Sequence, residues 1–318
     1  MGPMKQAIED RELVSLNGMW VTYHKAANTR QKRRGASGAQ VGVLFLNGLY
    51  ATRAGNGDAV MGWACWLAEH GYPSFRVDLP GFGDSEDDPP ADWLGYINSG
   101  GYGAIVSTLI EELVRRYKLA GVIVAGHCAG AVSAIYGAAT SGQCLGIVLM
   151  DPCFNMPRVG LPKYRRQLNL WSRQSRIGGA LSGIFDLLKQ TRRMLKQEGL
   201  PANANLKLLR CLREVVRGGV PVLILRAPSR GSAGLKPRTG EFDYLDYILA
   251  SGGPHARVLV ELVEGSNHSF SNQQGRAAIP EVIKRWLGTT LACISPACSS
   301  VVKDNVILMP SAKESETA

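Results

Sequence analysis

The most apolar stretches of this chain are short and sit between breaks. VGVLFL at Val41–Leu46, SFRV at Ser74–Val77, VIVAG from Val122, GIVLM at Gly146–Met150 and VPVLIL at Val220–Leu225 are strand-length, largely apolar runs ending near Asn, Gly, Pro or Asp. Such runs mark strands buried on both faces of a parallel sheet. A further strand is predicted over Arg257–Val263 and an initial one over Met19–His24, set apart by the basic loop NTRQKRRGASGAQ. Helical periodicity lies between them: Ala59–His70 with Trp63 and Trp66, Tyr102–Tyr117, a stretch near Glu241–Leu249, and Pro280–Leu287. This alternation predicts an α/β fold, a doubly wound, mostly parallel sheet with helices on both faces.

The alternation breaks once. Between two core segments, 15–151 and 217–290, residues 152–216 carry helical material such as ALSGIFDLLKQTRRMLKQ, amphipathic enough to fold over an apolar mouth. We read this segment as a helical lid and the stretch 291–318 as a disordered tail with no chemistry. Charge sharpens the picture. The net charge is +10, and Asp151–Val216 holds thirteen Lys and Arg against four acids, so most of the excess is in and beside the lid. Such a face is either simply solvated or docks an acidic or phosphate-bearing partner. Nucleic acid is disfavoured because no binding module or interleaved aromatic pattern accompanies the charge.

No run of about 18 apolar residues could span a membrane, and MGPMKQAIEDREL is not a signal peptide, so a cytoplasmic setting is expected. The seven cysteines are odd in number and lack CxxC or Cys/His ligand spacing, which argues against a disulfide framework and a structural metal. Nothing calls for a cofactor. For six of the cysteines a small buried side chain is the plainer reading. Cys128 is different: it stands in Gly126-His127-Cys128-Ala129-Gly130, where a β-branched run turns into small helix-forming residues. A Gly-x-nucleophile-x-Gly turn between strand and helix exposes the attacking atom, and the helix N-terminus favours a thiolate.

At this point the chain resembles the α/β-hydrolase superfamily over roughly residues 15 to 290. The resemblance rests on Asn47-Gly48, on Arg76-x-Asp78-Leu79-Pro80-Gly81-x-Gly83-x-Ser85, on the Cys128 turn with cysteine in place of serine, and on Gly265-Ser266-Asn267-His268-Ser269-Phe270. It implies His268 as general base and the backbone N–H groups of Ala129 and Leu49, or Tyr50 in place of Leu49, as oxyanion donors. Asp78 and Asp84 belong to scaffold in that pattern. Among the other histidines, His24 and His70 read as surface residues at element ends, His255 lies in a Gly-Pro turn, and His127 would point away from the nucleophile. The pattern departs at the acid. The loop after Leu225 holds no carboxylate; Glu241, Asp243 and Asp246 follow on a helix, and Asp151 ends the strand after the Cys128 helix. Asp243 is ranked first and Asp151 is the alternative, while a Cys–His dyad is a third possibility.

Cysteine exchanges one thioester for another at nearly equal free energy, which favours acyl transfer over plain ester hydrolysis. Cysteine-elbow members that the chain resembles include acyl and aminoacyl transferases and thioesterases of carrier-protein pathways, polyhydroxyalkanoate synthases and dienelactone-hydrolase-like enzymes. The resemblance implies a biosynthetic acyltransferase or thioesterase acting on a pantetheine-linked thioester, on coenzyme A or on an acidic acyl or peptidyl carrier protein that the basic segment would suit. An ester or lactone hydrolase on a small metabolite is the alternative, and a non-catalytic ligand-binding member of the fold is a second.

Overall fold

The computed structural model describes residues 10–27, 39–49, 51–156, 200–201, 203–228, 244–252 and 256–294. Two compact units divide the chain: Met1–Cys153 together with Leu208–Ala318, and Phe154–Lys207. Most of the segment read as a lid (157–199), the tail from 295, the basic loop at 28–38, and Tyr50, Glu241, Asp243 and His255 lie outside the described residues. In the second unit, Asn155 and Ala204 form an antiparallel bridge, held by Met156 N–H to Asn203 O at 2.7 Å and Asn205 N–H to Phe154 O at 2.8 Å.

The larger unit is built on one sheet. Its strands are β1 (Arg11–Leu16), β2 (Met19–His24), β3 (Val41–Leu46), β4 (Ser74–Val77), β5 (Gly121–His127), β6 (Cys144–Met150), β7 (Val222–Arg226) and β8 (Val258–Leu262). They lie in the order β1-β2-β4-β3-β5-β6-β7-β8. From β4 onward every neighbouring pair is parallel, and β1 and β2 add an antiparallel edge. The central strands β3 and β5 are buried at every residue, as continuous apolar runs require when helices cover both faces.

The described helices are α1 (Ala59–Glu69), α2 (Trp93–Asn98), α3 (Gly103–Tyr117), α4 (Ala129–Ala138), α5 (Leu206–Arg217), α6 (Tyr244–Gly252) and α7 (Gln273–Ile294). Helices α1 and α7 meet over one face, where Phe45, Trp63, Ile123, Val148, Leu223, Ile283 and Trp286 share a core cluster. On β3 and β5 the alternate residues Leu44, Leu46, Val122 and Val124 are equally buried, because side chains along a strand point to opposite faces. Helix α4 is buried along its whole length, which its Ala and Gly content permits without crowding.

Three features depart from the expected elements. β1 carries Arg11, Glu12 and Ser15, and only its Val14 and Leu16 are buried, so its apolar signal is that of a half-exposed edge strand. α2 is a six-residue turn capped by Asp92, whose carboxylate accepts from Gly95 N–H at 2.9 Å. α7 begins before Pro280, at Gln273. Its start is set by Asn272, whose side-chain oxygen accepts from Gly275 N–H at 3.3 Å, an N-cap that the proline signal masked.

His24 is a correction. Instead of lying on the surface it is buried, 2% exposed, and Arg76 Nε–H donates to its Nε2 at 2.8 Å. Burial, aided by the positive charge of Arg76 and Arg11, pushes its pKa down to about 3. A base whose pKa falls on folding leaves the unfolded chain holding the extra proton below the ordinary value of 6.5. Its contribution to stability is therefore complete above that value and declines as pH falls toward about 3. His24→Gln, whose amide oxygen still accepts from Arg76, should remove this component. Denaturant titrations at about pH 7 and about pH 5.5 should show a drop for the native chain, limited to about 1.4 kcal/mol per pH unit, and a smaller drop for the variant.

Candidate active site

Cys128 stands where β5 ends and α4 begins, with φ 51° and ψ −109°, a conformation that a non-glycine residue holds only when its surroundings impose it. Those surroundings are visible on both sides. A Cβ on Gly130 would lie 2.3 Å from the carbonyl oxygen of Leu46, and one on Gly126 would lie 2.3 Å from the carbonyl oxygen of Gly130. The first turn of α4 is thus pressed against the end of β3, and only glycine fits at the two contacts. Cys128 N–H donates to Met150 O at 2.9 Å, and its carbonyl receives Ala131 N–H at 3.1 Å. The residue is tied to β6 behind and to the helix ahead.

The β6 connection brings in an acid. Asp151 follows Met150, its own N–H donates to Leu225 O at 2.8 Å, and it is 2% exposed with φ 50°. Its Oδ2 is hydrogen-bonded to Nδ1 of His268. His268 lies on the loop after β8, and its ring centroid is 5.0 Å from that of His127, the residue preceding Cys128. Arg226, at the end of β7, places Nε 3.9 Å from the other oxygen of Asp151. The carboxylate that meets His268 therefore comes from β6, while the end of β7 presents a cation to it. Asp246 is exposed on α6.

Leu49 follows Gly48, and a Cβ on Gly48 would lie 3.5 Å from Cβ of Cys128, so the loop after β3 passes over the thiol-bearing residue. This loop is braced from β4. Asp78 is 1% exposed and forms an ion pair with Arg53 Nη1, while Asp84 reaches the same nitrogen at 2.7 Å. Arg53 N–H also donates to Asp78 Oδ1, and Arg76 Nη1 donates to Arg53 O at 3.0 Å. Ser85 Oγ donates to Asp78 O at 2.6 Å and accepts Trp20 N–H at 2.8 Å. The Asp78–Ser85 motif holds the loop over Cys128, a role not assigned from sequence because Arg53 lies in no motif.

The described cysteines Cys65, Cys128, Cys144, Cys153 and Cys211 are thiols. Cys144 is buried in β6, and desolvation pushes its thiol up to about 11, the condition of an inert core cysteine. Among the described residues no group of three or more His, Cys, Asp or Glu could hold a metal ion, and no helix is long and apolar enough to cross a membrane.

A parallel sheet with an antiparallel edge, a strained turn at the C-terminal end of its central strand, and a histidine loop after its last strand define an α/β-hydrolase fold. The chain belongs to the alpha/beta hydrolase family, whose model matches residues 43–279. A search of curated protein sequences finds no match. Solved structures share the fold. TT1662 from Thermus thermophilus has 18% identity and a TM-score of 0.52 over 87% of this chain and 97% of its own. The esterase PF2001 from Pyrococcus furiosus has 12% identity and a TM-score of 0.54, covering 91% and 95%. The proline iminopeptidase of Mycobacterium smegmatis has 12% identity and a TM-score of 0.51, covering 89% and 99%.

The elbow contact is open to test by adding single methyl groups. Gly130→Ala places its Cβ against Leu46 O, whereas a Cβ on Gly142 meets nothing within 4 Å. In thermal or urea unfolding, Gly130→Ala should lose about 1–3 kcal/mol, the usual range for overpacking, and Gly142→Ala should stay within about 0.5 kcal/mol of the native chain.

Proposed function

We propose that the protein is a cysteine-dependent acyl-transfer enzyme, a thioesterase or acyltransferase whose substrates are pantetheine-linked thioesters. The observation that carries this reading is the pairing of His268 Nδ1 with buried Asp151 at the end of the strand beside Cys128. With Nδ1 committed to the carboxylate, Nε2 is the ring nitrogen that exchanges protons with the thiol and the leaving group. Asp151 orients the imidazole and stabilises its protonated form.

In the first half-reaction Cys128 Sγ bonds to the acyl carbon and its proton passes to His268. The pantetheine C–S bond breaks, and the departing sulfur takes the proton back. In the second, an acceptor thiol, amine or water gives its proton to His268 and bonds to the acyl carbon; the bond from that carbon to Cys128 Sγ breaks, and the departing sulfur takes the proton back. The N–H groups of Ala129 and Leu49 receive the oxyanion in both steps. The basic stretch around 152–216 supplies the face for phosphates or an acidic carrier, and as a lid it would keep water from the acyl-enzyme.

Intact-mass measurements on the full chain with acyl-coenzyme A and acyl-carrier thioesters test the reading. An acyl-sized adduct is expected on the native protein and not on Cys128→Ala. Faster discharge by thiol or amine than by water identifies a transferase; discharge by water alone identifies a thioesterase. Turnover of aryl esters without any thioester adduct would favour the ester-hydrolase alternative, and no reaction with either class would favour a binding role. Asp151→Asn should slow acylation at least about tenfold, about 1.4 kcal/mol of barrier. Asp243→Asn should not; the opposite result would return the acid role to Asp243.

A further inference from the structure

We propose that His127 is a positioning residue of this reaction, fixing the backbone of His268 so that the imidazole stands in register with Cys128. The inference rests on the catalytic reading of Cys128 and His268 given above. His127 is the last residue of β5, 7% exposed, and its Nε2 lies 2.9 Å from the carbonyl oxygen of His268. A carbonyl only accepts, so in this hydrogen bond Nε2 carries the proton. On its other side the ring packs flush against the loop over the thiol: a Cβ on Gly48 would lie 3.0 Å from His127 Nδ1. Phe270 meets the ring edge-on at 6.2 Å between centroids.

His127 is thereby wedged between the loop of Gly48 and Leu49 and the loop of His268, with its own backbone held in the sheet opposite Met150 of β6. His268 has two anchors. Asp151 holds its side chain through Nδ1, and His127 holds its main chain. One anchor alone leaves the ring free to swing about the Asp151 bond, and a displacement of about 1 Å at a reacting group costs on the order of a hundredfold in rate. Among the described residues, the ionisable and charged groups beside this pair include Cys128, Asp151 and, beyond Asp151, Arg226.

Two substitutions separate this role from simple packing. The amide nitrogen of His127→Gln reaches the place of Nε2, while that of His127→Asn reaches only the place of Nδ1. The readout is the pH dependence of Cys128 alkylation by iodoacetamide, followed by intact mass with Cys128→Ala as blank, together with the melting temperature of each variant.

The native chain should react with a midpoint below the free-thiol value of about 8.5. His127→Asn should move that midpoint upward and slow alkylation at about pH 7 by at least about tenfold, because a displaced His268 no longer supports the thiolate. His127→Gln should restore the rate to within about threefold of native by the same mechanism. Equal profiles for both variants, whether native-like or equally impaired, overturn the proposal.

His268→Ala distinguishes the two levels of the argument. If it leaves the alkylation profile native, the catalytic reading fails. If it shifts the profile and His127→Asn does not, only the role of His127 fails. Nitrogen chemical shifts of the unmodified protein supply a measurement that needs no variant: His127 should be protonated on Nε2, and protonation on Nδ1 alone overturns the proposal.

Discussion

The backbone of the first turn of α4 lies against the end of β3 with no side chain between them, and the site is organised around that contact. Without a Cβ at residues 126 and 130 the helix can approach the carbonyls of Leu46 and Asn47. The approach turns Cys128 into a positive-φ conformation at the end of a strand buried at every residue. The same turn leaves Ala129 N–H at the start of a helix, where backbone donors and dipole both favour negative charge. The thiol and the first N–H groups of the helix are thus set side by side by one piece of backbone geometry.

The groups around Asp151 are then placed by sheet order. β6 lies beside β5, so Asp151 comes one residue beyond the carbonyl that binds Cys128 N–H. β7 lies beside β6, so Arg226 stands on the far side of that carboxylate. A buried carboxylate is costly unless it is paired and hydrogen-bonded, and Asp151 has His268 on one oxygen and a guanidinium near the other. The loop over Cys128 is stabilised from the other direction, through Asp78, Arg53 and Arg76 on the β4 side. The site is consequently held from both flanks of β5, with its residues carried on strand ends and with short connections to the rigid sheet.

Much of this was legible along the chain. The apolar runs at Val41–Leu46 and Gly146–Met150 are strands because both sheet faces are covered, and a strand without a polar face has an unmistakable pattern. The glycines around Cys128 were legible because a close backbone approach permits only one residue type. β1 was harder: an edge strand buries alternate residues only, and Arg11, Glu12 and Ser15 dilute its signal. His24 reads as exposed because a histidine at a strand end looks so until its partner, Arg76, is brought across from β4. The carboxylate that meets His268 was ambiguous for the same kind of reason. Asp151 and Asp243 both occupy plausible positions in sequence, and local pattern contains nothing about which strand end the His268 loop will reach.

What the sequence by itself determined was therefore whatever depends on short-range chemistry: which segments can be buried strands, where the backbone must turn without side chains, and that the residue at that turn carries a thiol. Tertiary structure alone decided the pairings. Asp151 with His268, Arg53 with Asp78, and His127 with the carbonyl of His268 join residues 117, 25 and 141 positions apart. Hydrogen bonds and ion pairs act over a few ångströms of space and are indifferent to separation along the chain. The order in which strands are laid down in the sheet, rather than the residues next to each group, selects its partner.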